Sequence, residues 1–163
     1  HRSCHKPVRG KCSPHHCNGR VPLLVWGPGR VQPGKTDAIA STIDLLPTLC
    51  GLAGVQHGIN DLPGHDLSSW ATHGEGPRPA EALIMLPWWR ARFDGRFIYG
   101  AHSDDETLAP WLLFDTQSDP FDTVNLLDDD RHQALAEEQH ARLAECLQRE
   151  MARVGTKRLV YRS

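Results

Sequence analysis

A chain of 163 residues is long enough for one compact domain with a sizeable core and too short for two full-sized ones. Its 18 Lys and Arg against 20 Asp and Glu give a formal charge of -2, which excludes the overall positive field that holds a phosphate backbone, so no nucleic-acid partner is expected. No apolar run approaches the roughly 18 residues of a bilayer span, and the opening HRSCHKPVRGKCSPHHC has no apolar signal-peptide core, so no membrane partner is expected.

The first residue is His rather than Met, which leaves a removed leader open and the compartment undecided between cytoplasm and periplasm. Residues 1–19 hold one aliphatic side chain, Val8, and no acidic residue. Such a segment buries too little apolar area to order itself and is expected to be irregular. Val21-Pro22-Leu23-Leu24-Val25-Trp26, closed by Gly27-Pro28-Gly29, predicts a strand buried on both faces, as in a parallel or mixed sheet. The run from Ile39 to Leu52 predicts a helix, with Ser41 or Thr42 as cap, Asp44 in its first turn and Gly54 as its stop. Pro47 is tolerated if the helix proper starts near Leu46. Residues 57–80 are expected to be a loop excursion with one helical turn near Leu67–Trp70.

Four short runs follow, at Glu81–Leu86, Trp88–Phe93, Arg96–Gly100 and Trp111–Thr116. They predict a small antiparallel sheet, with Asp94-Gly95 as its strongest hairpin signal. Arg131–Val154 predicts a long amphipathic helix, with Leu135, Leu143, Cys146, Leu147, Met151 and Val154 on one face. Residues 156–163 form a basic tail. The resulting division is 1–19, a remnant of an α/β domain at 20–56, the excursion at 57–80, a C-terminal subdomain at 81–155, and the tail.

The segment Arg20–Gly29 resembles the R-V-P-L strand segment of sulfatases, and Ser41-Thr42-Ile43-Asp44-Leu45-Leu46-Pro47-Thr48-Leu49 is similar to their S-x-V-D-L-x-P-T-L helix. Trp89–Phe97 resembles the family's R-A-V-R-x-G-R-Y hairpin. Leu113-Phe114-Asp115 through Ser118-Asp119-Pro120 to Asn125-Leu126 resembles L-Y-D-L-x-x-D-P-x-E-x-x-N-L, with Asp122 where Glu is usual. Four blocks in order over about two thirds of the chain are more specific than any one of them. The resemblance implies an α/β fold (α+β for this portion taken alone): the end of the catalytic sheet, then a four-stranded antiparallel sheet packed with a C-terminal helix.

By that resemblance the full-length enzyme is a metal-dependent sulfuric ester hydrolase of the alkaline phosphatase superfamily. It uses calcium or magnesium and a formylglycine made from C/S-x-P-x-R, and takes a small-molecule or carbohydrate sulfate ester as substrate. Cys12-Ser13-Pro14-His15-His16 has His where that motif requires Arg, so no nucleophile or metal site, and no cofactor, is expected in these residues, and the chain alone is expected to be inactive. A phosphodiesterase, a phosphonate hydrolase or a non-catalytic truncated product are the alternatives. The spacing His1-x4-Lys6 is that of the family's H-G-x-W-x-K segment, which makes Lys6 a candidate sulfate contact and His1 a candidate substrate-binding residue; an exposed lysine in an irregular end is the plain alternative.

Of the adjacent Trp88 and Trp89, one is expected in the core and the other outward, where it is a candidate for the substrate mouth. Cys4, His5, Cys12, His15, His16 and Cys17 suggest zinc, but their spacing lacks the paired pattern of structural sites. A frameshifted origin for residues 1–19 is a third account of their composition. The strand at 21–26, without neighbours, is expected to expose apolar surface and to let copies of the chain self-associate.

Overall fold

The structure, a computed structural model, describes residues 13–55, 64–103 and 107–154. It has two compact units: residues up to Leu24 with Pro79–Leu143, and Val25–Arg78 with the residues from Ala144 onward.

The first unit is built on a four-stranded antiparallel meander: β1 (Ala82–Leu86), β2 (Trp89–Phe93), β3 (Phe97–Ser103) and β4 (Leu108–Asp115), in the order β1-β2-β3-β4. The Asp94-Gly95 turn forms as its sequence predicts, because the Asp94 carboxylate accepts the backbone N–H groups of Arg96 at 3.0 Å and Phe97 at 2.7 Å. Period-two alternation then gives the sheet two faces. Cross-strand pairing of Phe93 with Ile98 and of Ile98 with Phe114 puts these three on one face, where Ile98, Leu112 and Phe114 form a buried cluster with Phe93 and Trp111 packed against it. Pairing of Arg92 with Tyr99 and of Tyr99 with Leu113 defines the other face.

Helix α4 (Gln133–Val154; α1–α3 are given below) meets that second face through polar groups. Arg92 Nη1 donates to Gln139 Oε1 at 2.8 Å, and the Tyr99 hydroxyl lies 2.9 Å from His140 Nδ1. Burial without a charge partner pushes the Tyr99 phenol up to about 12. The helix is buried at Gln139, Leu143 and Cys146, one turn apart, whereas Met151, expected on the covered face, is exposed. The sheet face that presents Arg92 and Tyr99 selects Gln139 and His140, which periodicity of apolar residues does not register.

Residues 1–12 of the segment expected to be irregular lie outside the described residues. Within its remainder, His16–Gly19 forms a four-residue helix, α1, and Pro14 is fully buried. Residues 21–26 correct the expectation of a buried strand: they carry no strand pairing, and Leu24 and Trp26 are 89 % and 85 % exposed. A strand buried on both faces needs partners on either side, and every strand among the described residues belongs to the 82–115 meander. The apolar exposure expected of this run is therefore present.

In the second unit a 3-10 turn at Thr42–Asp44 leads into α2 (Leu45–Ala53), which places Pro47 in the first turn. Ser41 and Asp44 form a reciprocal capping box, and Gly54, at φ 68°, ends the helix in the left-handed conformation that other residues disfavour. A short helix, α3 (Ser68–His73), follows. Residue 56, and residues 57–63 of the expected excursion, lie outside the described residues.

Candidate functional site

The residues that carry the resemblance hold the fold together. Asp44, 3 % exposed, accepts the Ser41 N–H at 2.7 Å and the His65 N–H at 2.7 Å. Thr48 Oγ1 accepts the Leu67 N–H at 3.0 Å. The Asp and Thr of that block therefore fasten the chain at 65–67 onto the start of α2.

Arg92, in the hairpin block, is 3 % exposed and pairs with Glu81 and with Asp94 at 3.3 Å. Arg96 makes a two-pronged contact with Asp115, Nε to Oδ1 at 3.1 Å and Nη2 to Oδ2 at 2.8 Å. That guanidinium holds the Asp115 carboxyl down at about 2. In the last block, Asp119 accepts the backbone N–H groups of Thr123 and Val124. Asn125 accepts the Leu113 N–H at 2.9 Å and donates to the Trp111 carbonyl at 3.2 Å, closing the outer edge of β4. Carboxylates matched to cations or to turn amides spend their lone pairs on the fold, so these groups make a scaffold.

Of the predicted site residues, His1 and Lys6 lie outside the described residues. Trp89 is buried, 2 % exposed, with its ring 6.3 Å from that of Trp111. Trp88, in the turn between β1 and β2, is 53 % exposed. His102 stacks on Trp111 with 4.4 Å between centroids, so the structure joins Trp89, His102 and Trp111 on one sheet face and leaves Trp88 turned outward. Among the described residues no group of three or more His, Cys, Asp and Glu side chains converges to hold a metal ion. The described residues thus do not by themselves fit the divalent cation that the resemblance implies.

One cluster escaped the sequence. His15 lies on the Phe114 ring at 5.0 Å and His16 on the Phe93 ring at 5.5 Å. The backbone N–H of His16 donates to Asp122 Oδ2 at 2.5 Å. Asp122 is 3 % exposed, has φ 52°, and its other oxygen has no hydrogen-bond partner. Burial pushes this carboxyl up, against the pull of the His16 N–H and the two imidazoles. The one signal in the sequence was Asp122 itself, which departs from the Glu of the resembled block.

No family model matches the chain. Human arylsulfatase A is 33 % identical over 143 residues, 72 % of this chain and 28 % of that protein. The structure of a 2-O GAG sulfatase superposes with a TM-score of 0.62 at 24 % identity, over 80 % of this chain and 30 % of that one. The chain belongs to the sulfatase family, to its C-terminal portion. A phosphonate monoester hydrolase from Agrobacterium radiobacter shares the fold, with a TM-score of 0.53 and 21 % identity over 68 % of this chain and 25 % of that one. This sulfatase portion spans less than a third of the relatives it matches, and its four-stranded antiparallel sheet with helices matches the C-terminal regions of sulfatase structures. Among the described residues of the sulfatase chain no helix is long and apolar enough to cross a membrane.

Proposed function

We propose that the chain is the C-terminal scaffold of a sulfatase-like hydrolase of sulfate esters, and that it has no turnover alone. The observation that carries this is the alignment with arylsulfatase A, which extends over 72 % of this chain and 28 % of the relative, together with Asp44, Arg92, Arg96, Asp115, Asp119 and Asn125 of the resembled blocks, which are engaged in the fold. Neither Cys nor Ser in the 163 residues stands in a C/S-x-P-x-R motif. In this reading a divalent cation, calcium or magnesium, and a formylglycine belong to the whole enzyme, where the metal would neutralise the anionic ester.

A carbohydrate sulfate is the substrate class we favour, because the 2-O GAG sulfatase shares 80 % of the chain in fold. Trp88, exposed at the β1–β2 turn, is then the candidate for stacking on a sugar ring. Trp89, buried in the sheet with its ring against Trp111, supports that turn. Lys6 and His1 keep their proposed roles at the sulfate through their spacing alone. Self-association through Val21–Trp26 belongs to the same reading and rests on the exposure of Leu24 and Trp26.

A phosphonate or phosphate diester hydrolase is the second reading, favoured by the shared fold of the phosphonate monoester hydrolase. The two separate on the polypeptide encoded by the whole reading frame around these residues. If that frame supplies C/S-x-P-x-R, aryl and carbohydrate sulfates are expected to be cleaved far faster than phosphonate monoesters. The reverse preference would move the chain to the second class, and a frame without the motif and without either activity would leave the non-catalytic product.

A further inference from the structure

The second observation about His15, His16 and Asp122 concerns the sheet face they cover. Ile98, Leu112 and Phe114, with Phe93 beside them, form the buried cluster on that face. Residues 13–19 lie across it: Pro14 is fully buried, a Cβ on Gly100 would come within 3.2 Å of both Pro14 Cγ and Leu112, and a Cβ on Gly19 would come within 3.5 Å of Ile84. The segment carries no aliphatic side chain between Ser13 and Gly19, so the apolar contact is made by one proline and two imidazoles.

An imidazole packed at a tilt against a phenyl ring is the better apolar cover while it is neutral, since charging it in a half-buried position costs hydration. We propose that residues 13–20 are a proton-sensitive strap, closed over the sheet face while His15 and His16 are neutral and released when acid charges both rings.

The charged and titratable groups around the strap set its sign. Asp122 faces both histidines from the loop after β4, with Asp119 behind it, and Arg20 stands beside His16 on the strap itself. Phe114 on β4, Phe93 on β2 and the Ser13 hydroxyl, 2.8 Å from His15 Nδ1, are uncharged. The Asp122 carboxylate favours the imidazolium forms; burial opposes them and is the larger effect at each ring, so both histidines lie below the ordinary imidazole value. A group whose folded value is depressed below 6.5 contributes stability that is fully present above 6.5 and lost as the pH falls through the folded value. Asp122 works the other way at lower pH: its raised value gives stability present below 3.8 and lost as the pH rises. Between those limits the histidines decide.

One backbone amide bonds across from the strap to the loop after β4, and three more report the helical turn of the strap itself. His16 donates to Asp122, Asn18 and Gly19 donate to the His15 carbonyl at 2.8 and 3.0 Å, and Arg20 donates to the His16 carbonyl at 2.9 Å. Hydrogen exchange of these amides in the full chain, corrected for the intrinsic effect of pH, is expected to show protection falling about fivefold or more from pH 7.5 to 5. The double variant H15Q/H16Q, which cannot take up the protons, is expected to lose none of its protection over that range. Protection that is constant or rises on acidification overturns the proposal, as does an equal fall in the double variant. Should that variant already be open at pH 7.5, titration of the two imidazoles in the unaltered chain by proton NMR decides: midpoints below 6.5 uphold the strap, and midpoints at or above 6.5 refute it.

Discussion

Arg92→Leu is expected to destabilise the sheet unit by about 3–5 kcal/mol, the usual cost of removing one partner from a buried ion pair. Arg92 is 3 % exposed and touches three acceptors: Glu81, Asp94 and Gln139. The side chains of Glu81 and Asp94 are only 15 % and 19 % exposed, so neither recovers its full hydration when the guanidinium goes. Gln139, itself 3 % exposed, loses its acceptor contact at the same time. Leucine fills part of the volume but donates nothing, which leaves two carboxylates facing an apolar group. Urea denaturation followed by circular dichroism measures the effect. A loss of less than about 1 kcal/mol would mean that the network is solvated and does not join helix to sheet.

Leu143→Ala is expected to cost about 2–5 kcal/mol, the range for truncating a fully buried leucine. Leu143 is 0 % exposed and sits one turn beyond Gln139 and His140, whose bonds to Arg92 and Tyr99 already fix that side of α4 on the sheet. The anchoring bonds limit how far the helix can sink to refill the space, which puts the expected value in the upper part of the range. Because Arg92 and Leu143 act in one interface, the double variant is expected to depart from the sum of the two single losses. The same denaturation measurement tests it, and strict additivity would mean that the two contacts are independent.

The sheet was legible because its signals are local. The short apolar and aromatic runs and the Asp94-Gly95 turn each act within a few residues. The start of α2 was legible for the same reason, since Ser41 and Asp44 satisfy one another across three positions. Arg92 was not legible as a core residue, because its burial depends on Glu81, Asp94 and Gln139 arriving from elsewhere, and an arginine in a strand reads as exposed. Val21–Trp26 failed for the opposite reason: its composition reports what the run is suited to pair with, and no strand among the described residues is there to pair with it. Residues 13–19 fold onto the sheet through a proline and two neutral imidazoles, a cover that a count of aliphatic side chains does not register. Of the candidate site, the sequence placed one of Trp88 and Trp89 in the core and one outward without assigning them. Trp89 is the buried one, and Trp88 is exposed because it lies in the β1–β2 turn and not in the strand. The pairing of Asp122 with His16 spans 106 positions and has no local trace.

These particulars bear on activity. Most of the acidic and basic motif residues among those described are matched to one another or to turn amides, and the proposal that the chain has no turnover alone rests on that scaffold role. The most direct measurement is hydrolysis of a chromogenic aryl sulfate by the purified 163-residue chain, with calcium or magnesium added. The rate is expected to equal that of buffer and metal alone at every protein concentration. Release of product that scales with the protein and stops on chelation would contradict the account, because these residues would then contain the chemistry assigned to the rest of the enzyme.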